Sequence, residues 1–231
     1  MDEARLNPIF PPRPGITLPY KLLNEYPPET WLAQRKFNGI RNLIYISADR
    51  EVTLWTRHEE NKHQHRRYTL PEAVKKDILH LHLEDGIEYI IDSELLHTRT
   101  KAVQDAEVPQ RWRNGVRNTI VLFDLLYAGE YLADWSQTER LALLADICSN
   151  PTDREQHGRA LIVSDHLWLA ETINDRFEYE YFNFFDCPEI EGLVLRRRDS
   201  TLREDNPMLG GRKHDVSWMV RVRKPSKVAQ F

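Results

Sequence analysis

Lys36 is the residue whose setting most invites chemistry. It stands in KFNGIR, with Arg35 before it and Arg41 closing the segment. A lysine attacks only as the free amine, and its ordinary pKa of about 10.4 keeps it protonated at neutral pH, so a nucleophilic Lys36 needs a site that disfavours the ammonium. Neighbouring cations do that, and Arg35 and Arg41 are the ones at hand. Taken alone, KxxG is more often an ordinary lysine in a surface turn. Glu94 in IDSELL and Glu191 in EGLVLR lie beside apolar runs, where a carboxylate is costly unless it is paired or used. A salt-bridged glutamate at a strand end is the plain alternative, more for Glu94 than for Glu191. Arg221 and Arg223 alternate with Val222, so a strand turns both guanidiniums to one face. His58, His63 and His65 are close together, but without a nearby cysteine or second ligand cluster they read as a polar loop, and His80 and His82, alternating with leucines, read as structural.

The elements that must position these side chains are mostly strands. The first thirty residues carry Pro8, Pro11, Pro12, Pro14, Pro19, Pro27 and Pro28, which disfavour helix and predict an extended segment on the surface before the fold begins at Trp31. Asn42–Ile46 and Val52–Trp55 read as a hairpin around SADRE. A helix is predicted from Pro71 with Ala73, Val74, Ile78 and Leu81 on one face, followed by a buried strand in IEYIIDSELLH. NTIVLFDLLYAGEYL predicts a strand entering a turn at Gly129. SQTERLALLADICS predicts a helix opened by a Ser136–Glu139 capping box. LIVSDHL reads as one strand, Trp168–Phe185 includes a helix, and IEGLVLRRRD and VSWMVRVRK are strands flanking a loop with Gly210 and Gly211. Strands mixed with a few helices, without regular βαβ alternation, predict an α+β fold with a largely antiparallel sheet and flanking helices.

The chain has 231 residues, 41% hydrophobic and 29% charged, enough to bury a core and unlike a disordered tail. Its two cysteines, Cys148 and Cys187, form no CxxC pair or disulfide framework, which fits a reducing, cytoplasmic compartment. No apolar run is long enough for a bilayer and the start is too polar for a secretory signal. The net charge of −4 conceals an asymmetry: from Glu191 onward ten Lys/Arg face five Asp/Glu, leaving about +5 there and about −9 before it. That basic strip can present a local field to phosphates, or be no more than a solvated edge.

In order along the chain, KFNGIR, TRHEEN (Thr56–Asn61), IDSELL, LFDLLY, EGLVLR and SWMVRVRKP resemble the motifs of the covalent nucleotidyltransferase superfamily, the ATP-dependent DNA and RNA ligases and mRNA capping enzymes. The matches run from Trp31 to Pro225, and in series they are far more specific than any one alone. The resemblance implies that Lys36 is the nucleophile that takes AMP from ATP, with Gly39 letting the backbone come close to the nucleotide. It implies that Glu94 and Glu191 hold Mg²⁺ and the ribose, that Phe123 stacks on adenine, and that Gln34 accepts a hydrogen bond from the adenine amino group. Arg221 and Arg223 stand where the family carries lysines against the α-phosphate, and Arg196 where a lysine often ends the fourth motif. Arg41, Arg57 and Arg196 are placed against nucleotide or nucleic-acid phosphates, while Arg197, Arg198, Lys213 and Lys224 divide evenly between that role and solvated surface.

The implied architecture is a Pro-rich extension over 1–30 and a nucleotidyltransferase domain over 31–231, with no OB-fold domain after the fifth motif. The implied activity is sealing of 3′-OH/5′-phosphate nicks in duplex nucleic acid by a monomer through a lysyl-AMP intermediate. Asn38 replaces the usual motif aspartate, which favours RNA ends. FDLLYAGEYL followed by ERLALL is more like a DNA ligase. DNA is the main reading and RNA the alternative, with a capping guanylyltransferase or a non-catalytic nucleic-acid-binding relative behind them.

Overall fold

The computed structural model describes residues 12–56, 66–68, 70–96, 119–155, 157–204 and 215–225. Two sheets carry the fold. The small one has strand order β1 (Arg13–Leu18), β12 (Asp215–Arg223), β11 (Ile190–Arg197) and β2 (Trp31–Phe37). The large one runs β5 (Arg66–Tyr68), β4 (Val52–Thr56), β3 (Ile40–Ile46), β6 (Tyr89–Leu96), β7 (Thr119–Ala128), β10 (Leu167–Leu169), β9 (Leu161–Ile162), with β8 (Glu130–Tyr131) paired to β7. The α+β class is as expected, and most pairings are antiparallel. Two are parallel: β1 with β12 and β10 with β7.

Three helices follow from their sequences. Helix α1 (Glu72–Leu79) starts after Pro71, which precedes the first helical residue, and buries Val74 and Ile78. Helix α2 (Gln137–Ile147) opens with the expected capping box, in which the Ser136 hydroxyl accepts from the Glu139 N–H and the Glu139 carboxylate accepts from the Ser136 N–H at 2.7 Å. Helix α3 is Phe177–Asn183. Leu144 and Ile147 of α2 and Val74 and Ile78 of α1 pack on Ile44, Ile91, Leu95 and Leu122, the outer face of the large sheet. Phe177 and Tyr181 of α3, with Leu23 from a 3₁₀ helix at Tyr20–Glu25, cover Ala33, Leu193, Leu195 and Val222 on the outer face of the small sheet. Between the sheets, Leu43, Tyr45 and Leu126 meet Trp218 and Met219. Burial of these large side chains, at roughly 1.5–3 kcal/mol each, is the main force joining the sheets.

Two expectations change. Within the described part of the segment before Trp31, Arg13–Leu18 is an integral strand beside β12 and Leu23 is fully buried, because prolines disfavour helix but permit an edge strand. LIVSDHL is not one strand but a tight hairpin of β9 and β10, closed by Val163 and Ser164 N–H groups donating to the Leu167 carbonyl at 3.0 Å. No described helix is long and apolar enough to cross a membrane. Both cysteines are buried and unpaired, and burial pushes each thiol up to about 12.

Candidate active site

KFNGIR is the corner where the chain leaves the small sheet for the large one. Lys36 and Phe37 end β2, Asn38 and Gly39 make the turn, and Ile40 and Arg41 begin β3. Asn38 is tied at this corner, its N–H donating to the Glu189 carbonyl at 2.8 Å. The glycine is required here by the protein itself: a Cβ on Gly39 would lie 2.3 Å from the Leu95 carbonyl oxygen and 2.9 Å from Glu94 Cγ. Gly39 makes room for β6, and its N–H donates to Glu94 Oε1 at 2.9 Å.

Strand alternation then sets the walls of a cavity of about 90 Å³. Gln34 and Lys36 of β2, Val194 and Arg196 of β11 and Met219 of β12 line one side, and Arg41, Glu94 and Phe123 from the large sheet line the other. Arg221 and Arg223, in step with Met219 along β12, share its face as expected. Glu191 reaches the same side by an irregularity. Ile190 pairs with Phe37 and Gly192 with Lys36, so Glu191 is the extra residue of a bulge, which turns its side chain toward Lys36. Gly192 pays for this geometry with φ +147°, and a Cβ there would meet the Val222 oxygen at 1.9 Å. The result is that Glu191 Oε2 lies 2.9 Å from Lys36 Nζ and 3.5 Å from Arg223 Nε.

The cations expected to bear on Lys36 are engaged elsewhere. Arg35 points to the opposite face of β2, where it pairs with Glu171 at 2.8 Å and Glu180 at 2.6 Å. Arg41 spends its fork on buried Asp92, with Nε to Oδ1 at 3.0 Å and Nη2 on Oδ2, and its Nη1 donates to the Pro12 carbonyl. Arg41 therefore lines the cavity with its charge offset by Asp92. Arg196 is likewise engaged within the fold. It is 4% exposed, donates to Gln34 Oε1 and the Phe123 carbonyl, and burial pulls its guanidinium down to about 10. Arg57, His58, His63, His65 and Lys213 lie outside the described residues. Arg197 pairs with Asp199 and Glu204, Arg198 donates to the Pro28 carbonyl at 2.7 Å, and Lys224 Nζ donates to the Phe184 and Cys187 carbonyls, so these three are structural cations. His80 Nδ1–H donates to the Lys76 carbonyl at 2.7 Å, and His82 Nε2 shares a hydrogen bond with the Ser149 hydroxyl at 3.1 Å.

Glu94 and Phe123 hold surprises of environment. Burial pushes the Glu94 carboxyl up to about 7, against the pull of Lys36, Arg41 and the Gly39 N–H. The Phe123 ring has the guanidiniums of Arg41 and Arg196 at 5.4 and 5.5 Å from its centroid. Sequence reasoning missed Asp92 and the Asp124–Arg140 pair, whose Nε–Oδ1 distance is 3.1 Å at full burial. The signal was there: Asp92 and Asp124 are carboxylates inside the apolar runs of IIDSELL and VLFDLL.

The Mg²⁺ that the motif resemblance implies can be tested against these side chains. Among the described residues no three His, Cys, Asp or Glu form a self-sufficient cage. Glu94 and Glu191 are a two-carboxylate set, and Mg²⁺ commonly takes one or two carboxylates and completes its shell with water and substrate phosphates. A buried carboxyl that resists ionisation, as Glu94 does, is one a divalent cation would hold charged. The residues fit a metal that arrives with its nucleotide.

A family model described as ATP dependent DNA ligase domain matches residues 17–208. Among solved structures, the ligase domain of LigD from M. tuberculosis is similar at 20% identity and a TM-score of 0.51, over 84% of this chain and 54% of that one. A Lig E DNA ligase is similar at 14% identity and a TM-score of 0.52, over 93% of this chain and 69% of that one. These likenesses show a common fold, and the chain spans about half the length of the LigD ligase domain. No curated protein matches the chain by sequence.

Proposed function

The chain belongs to the ATP dependent DNA ligase domain family, and on that premise we propose that it is the adenylating unit of an ATP-dependent polynucleotide ligase that seals nicked duplex DNA through a lysyl-AMP at Lys36. The observation that carries the reading is the triad at the sheet corner, with Lys36 Nζ and Arg223 Nε both on one oxygen of Glu191. Nζ must shed its proton, Glu191 Oε2 at 2.9 Å is the acceptor within reach, and the freed amine attacks the α-phosphorus of ATP. The P–N bond forms as the bond to pyrophosphate breaks. Arg223 and Arg221 offer charge to the phosphate oxygens, positioning and neutralisation being most of what phosphoryl transfer asks of a protein. Glu94 and Glu191 would hold Mg²⁺, which when bound supplies further neutralisation of phosphate charge. The AMP then passes to a 5′-phosphate end, and a 3′-hydroxyl displaces it to seal the strand.

Asn38 favours a second reading, joining of RNA ends. Its amide is turned toward the Pro188 carbonyl at 3.5 Å, and it carries no negative charge for steps after adenylylation. Incubation with α-labelled ATP and Mg²⁺, then with nicked duplexes carrying DNA or RNA strands, tests both readings. Labelled protein that transfers AMP to and seals DNA nicks supports the main one, sealing confined to RNA strands supports the second, and unlabelled wild-type protein contradicts both.

A further inference from the structure

Arg196 is a buried cation that feels Asp124 and Asp92 at a distance but bonds to neither. It makes no ion pair among the described residues, and its partners are the neutral Gln34 Oε1 and Phe123 carbonyl. Its Nε is buried without a partner. Burial of such a charge without a bonded counter-ion costs stability. On the other side of the same carboxamide, Gln34 Nε2 faces the Ala170 carbonyl at 3.5 Å.

These two contacts fix which way the amide points, because guanidinium can only donate and carbonyl can only accept. A flipped Gln34 would set its NH₂ against the N–H groups of Arg196 and its oxygen against the Ala170 oxygen, losing both bonds. We propose that Arg196 is a specificity-determining residue that acts through Gln34, locking it as a hydrogen-bond acceptor at the cavity wall so that the site selects a purine bearing an amino group at position 6 over one bearing a carbonyl.

The lock rests on the nucleotide reading given above and adds what that reading lacks. An unrestrained glutamine reads either purine equally, since it donates to a carbonyl after a half-turn as readily as it accepts from an amine. Gln34 is 2% exposed and still lines the cavity beside Phe123, so a base stacked there meets the second lone pair of Oε1. The 6-amino group of adenine donates to it. The O6 of guanine opposes it, oxygen against oxygen, and the amide has no low-cost flip with which to respond.

The test measures both adduct formation and equilibrium binding with ATP and GTP. Wild type is expected to prefer ATP in both. Arg196→Met frees the amide and is expected to narrow the ATP-to-GTP ratio roughly ten- to hundredfold, chiefly by improving GTP. Arg196→Lys keeps a donor and is expected to retain the preference. Adding Gln34→Glu to Arg196→Met is expected to restore it, because a carboxylate accepts whichever way it turns. Should Arg196→Met unfold in a thermal melt, Gln34→Leu removes the acceptor and is expected to narrow the ratio alike. An unchanged ratio in folded Arg196→Met or Gln34→Leu overturns the lock. Selective binding of ATP with no covalent adduct in wild type contradicts the ligase reading and leaves the lock standing.

Discussion

At the residue scale, the chemistry of the site is a matter of which charges are committed. Arg41 is cancelled by Asp92, Arg140 by Asp124, and Arg35 by Glu171 and Glu180, so Lys36 is left with Glu191 and the partly buried Glu94. The motif residues themselves were legible as an ordered series of sequence signals. Their partners were not, since a strand residue's neighbours depend on register, and KFNGIR read alone made Arg35 and Arg41 the companions of Lys36. Glu94 yields a prediction with a definite sign. Its carboxyl is raised from 4.5 to about 7 in the fold, so the folded chain keeps a proton that the unfolded chain releases. This group favours the fold below pH 4.5, and its contribution is lost as pH rises to about 7, a difference of about 3 kcal/mol at higher pH. Glu94→Gln is therefore expected to raise the unfolding midpoint at pH 8 by roughly 5–10 °C while abolishing adduct formation. Calorimetry and adduct labelling on the same sample check both halves.

At the element scale, the site depends on two places where strands come too close for a side chain. Gly39→Ala drives a Cβ against the Leu95 carbonyl at 2.3 Å, so β3 and β6 must part at the corner that holds Lys36. The expected outcome is a loss of at least about 3 kcal/mol in denaturant unfolding together with a steep loss of adduct formation. A contrasting control lies in α2: Ser136→Ala removes the cap and costs about 1 kcal/mol, and adduct formation at 25 °C is expected to be unchanged. The helices and most strands were legible from periodicity, caps and turn residues. The bulge at Glu191 was not, because an extra residue in a ladder leaves no mark in the hydrophobic pattern. The hairpin at Leu161–Leu169 was missed for a related reason, since a short apolar run gives periodicity too few residues to distinguish one strand from two.

At the scale of the whole molecule, the charge asymmetry seen in the sequence resolves into parts. Much of the basic C-terminal stretch is structural: Arg196, Arg197, Arg198 and Lys224 are engaged within the fold. Arg221 and Arg223 remain on the cavity face of β12, Arg221 steadied by Thr17 Oγ1 at 2.7 Å. The N-terminal strand thus supports Arg221 on the cavity face, which no reading of its prolines could show, because its partner lies about two hundred residues away. Binding to a nicked duplex is expected to weaken as salt rises, and Arg221→Ala with Arg223→Ala to flatten the log–log salt slope by up to about 2. Fluorescence anisotropy across a salt series reads that slope, and one unchanged in the double variant removes both arginines from the interface. The measurement closest to the central claim is the intact mass of the protein after incubation with ATP and Mg²⁺, followed by peptide mapping. The expected result is a gain of one AMP, acid-labile, on the peptide containing Lys36, and none in Lys36→Ala. A wild-type protein that gains no AMP, or gains it on another residue with Lys36→Ala equally labelled, contradicts the account.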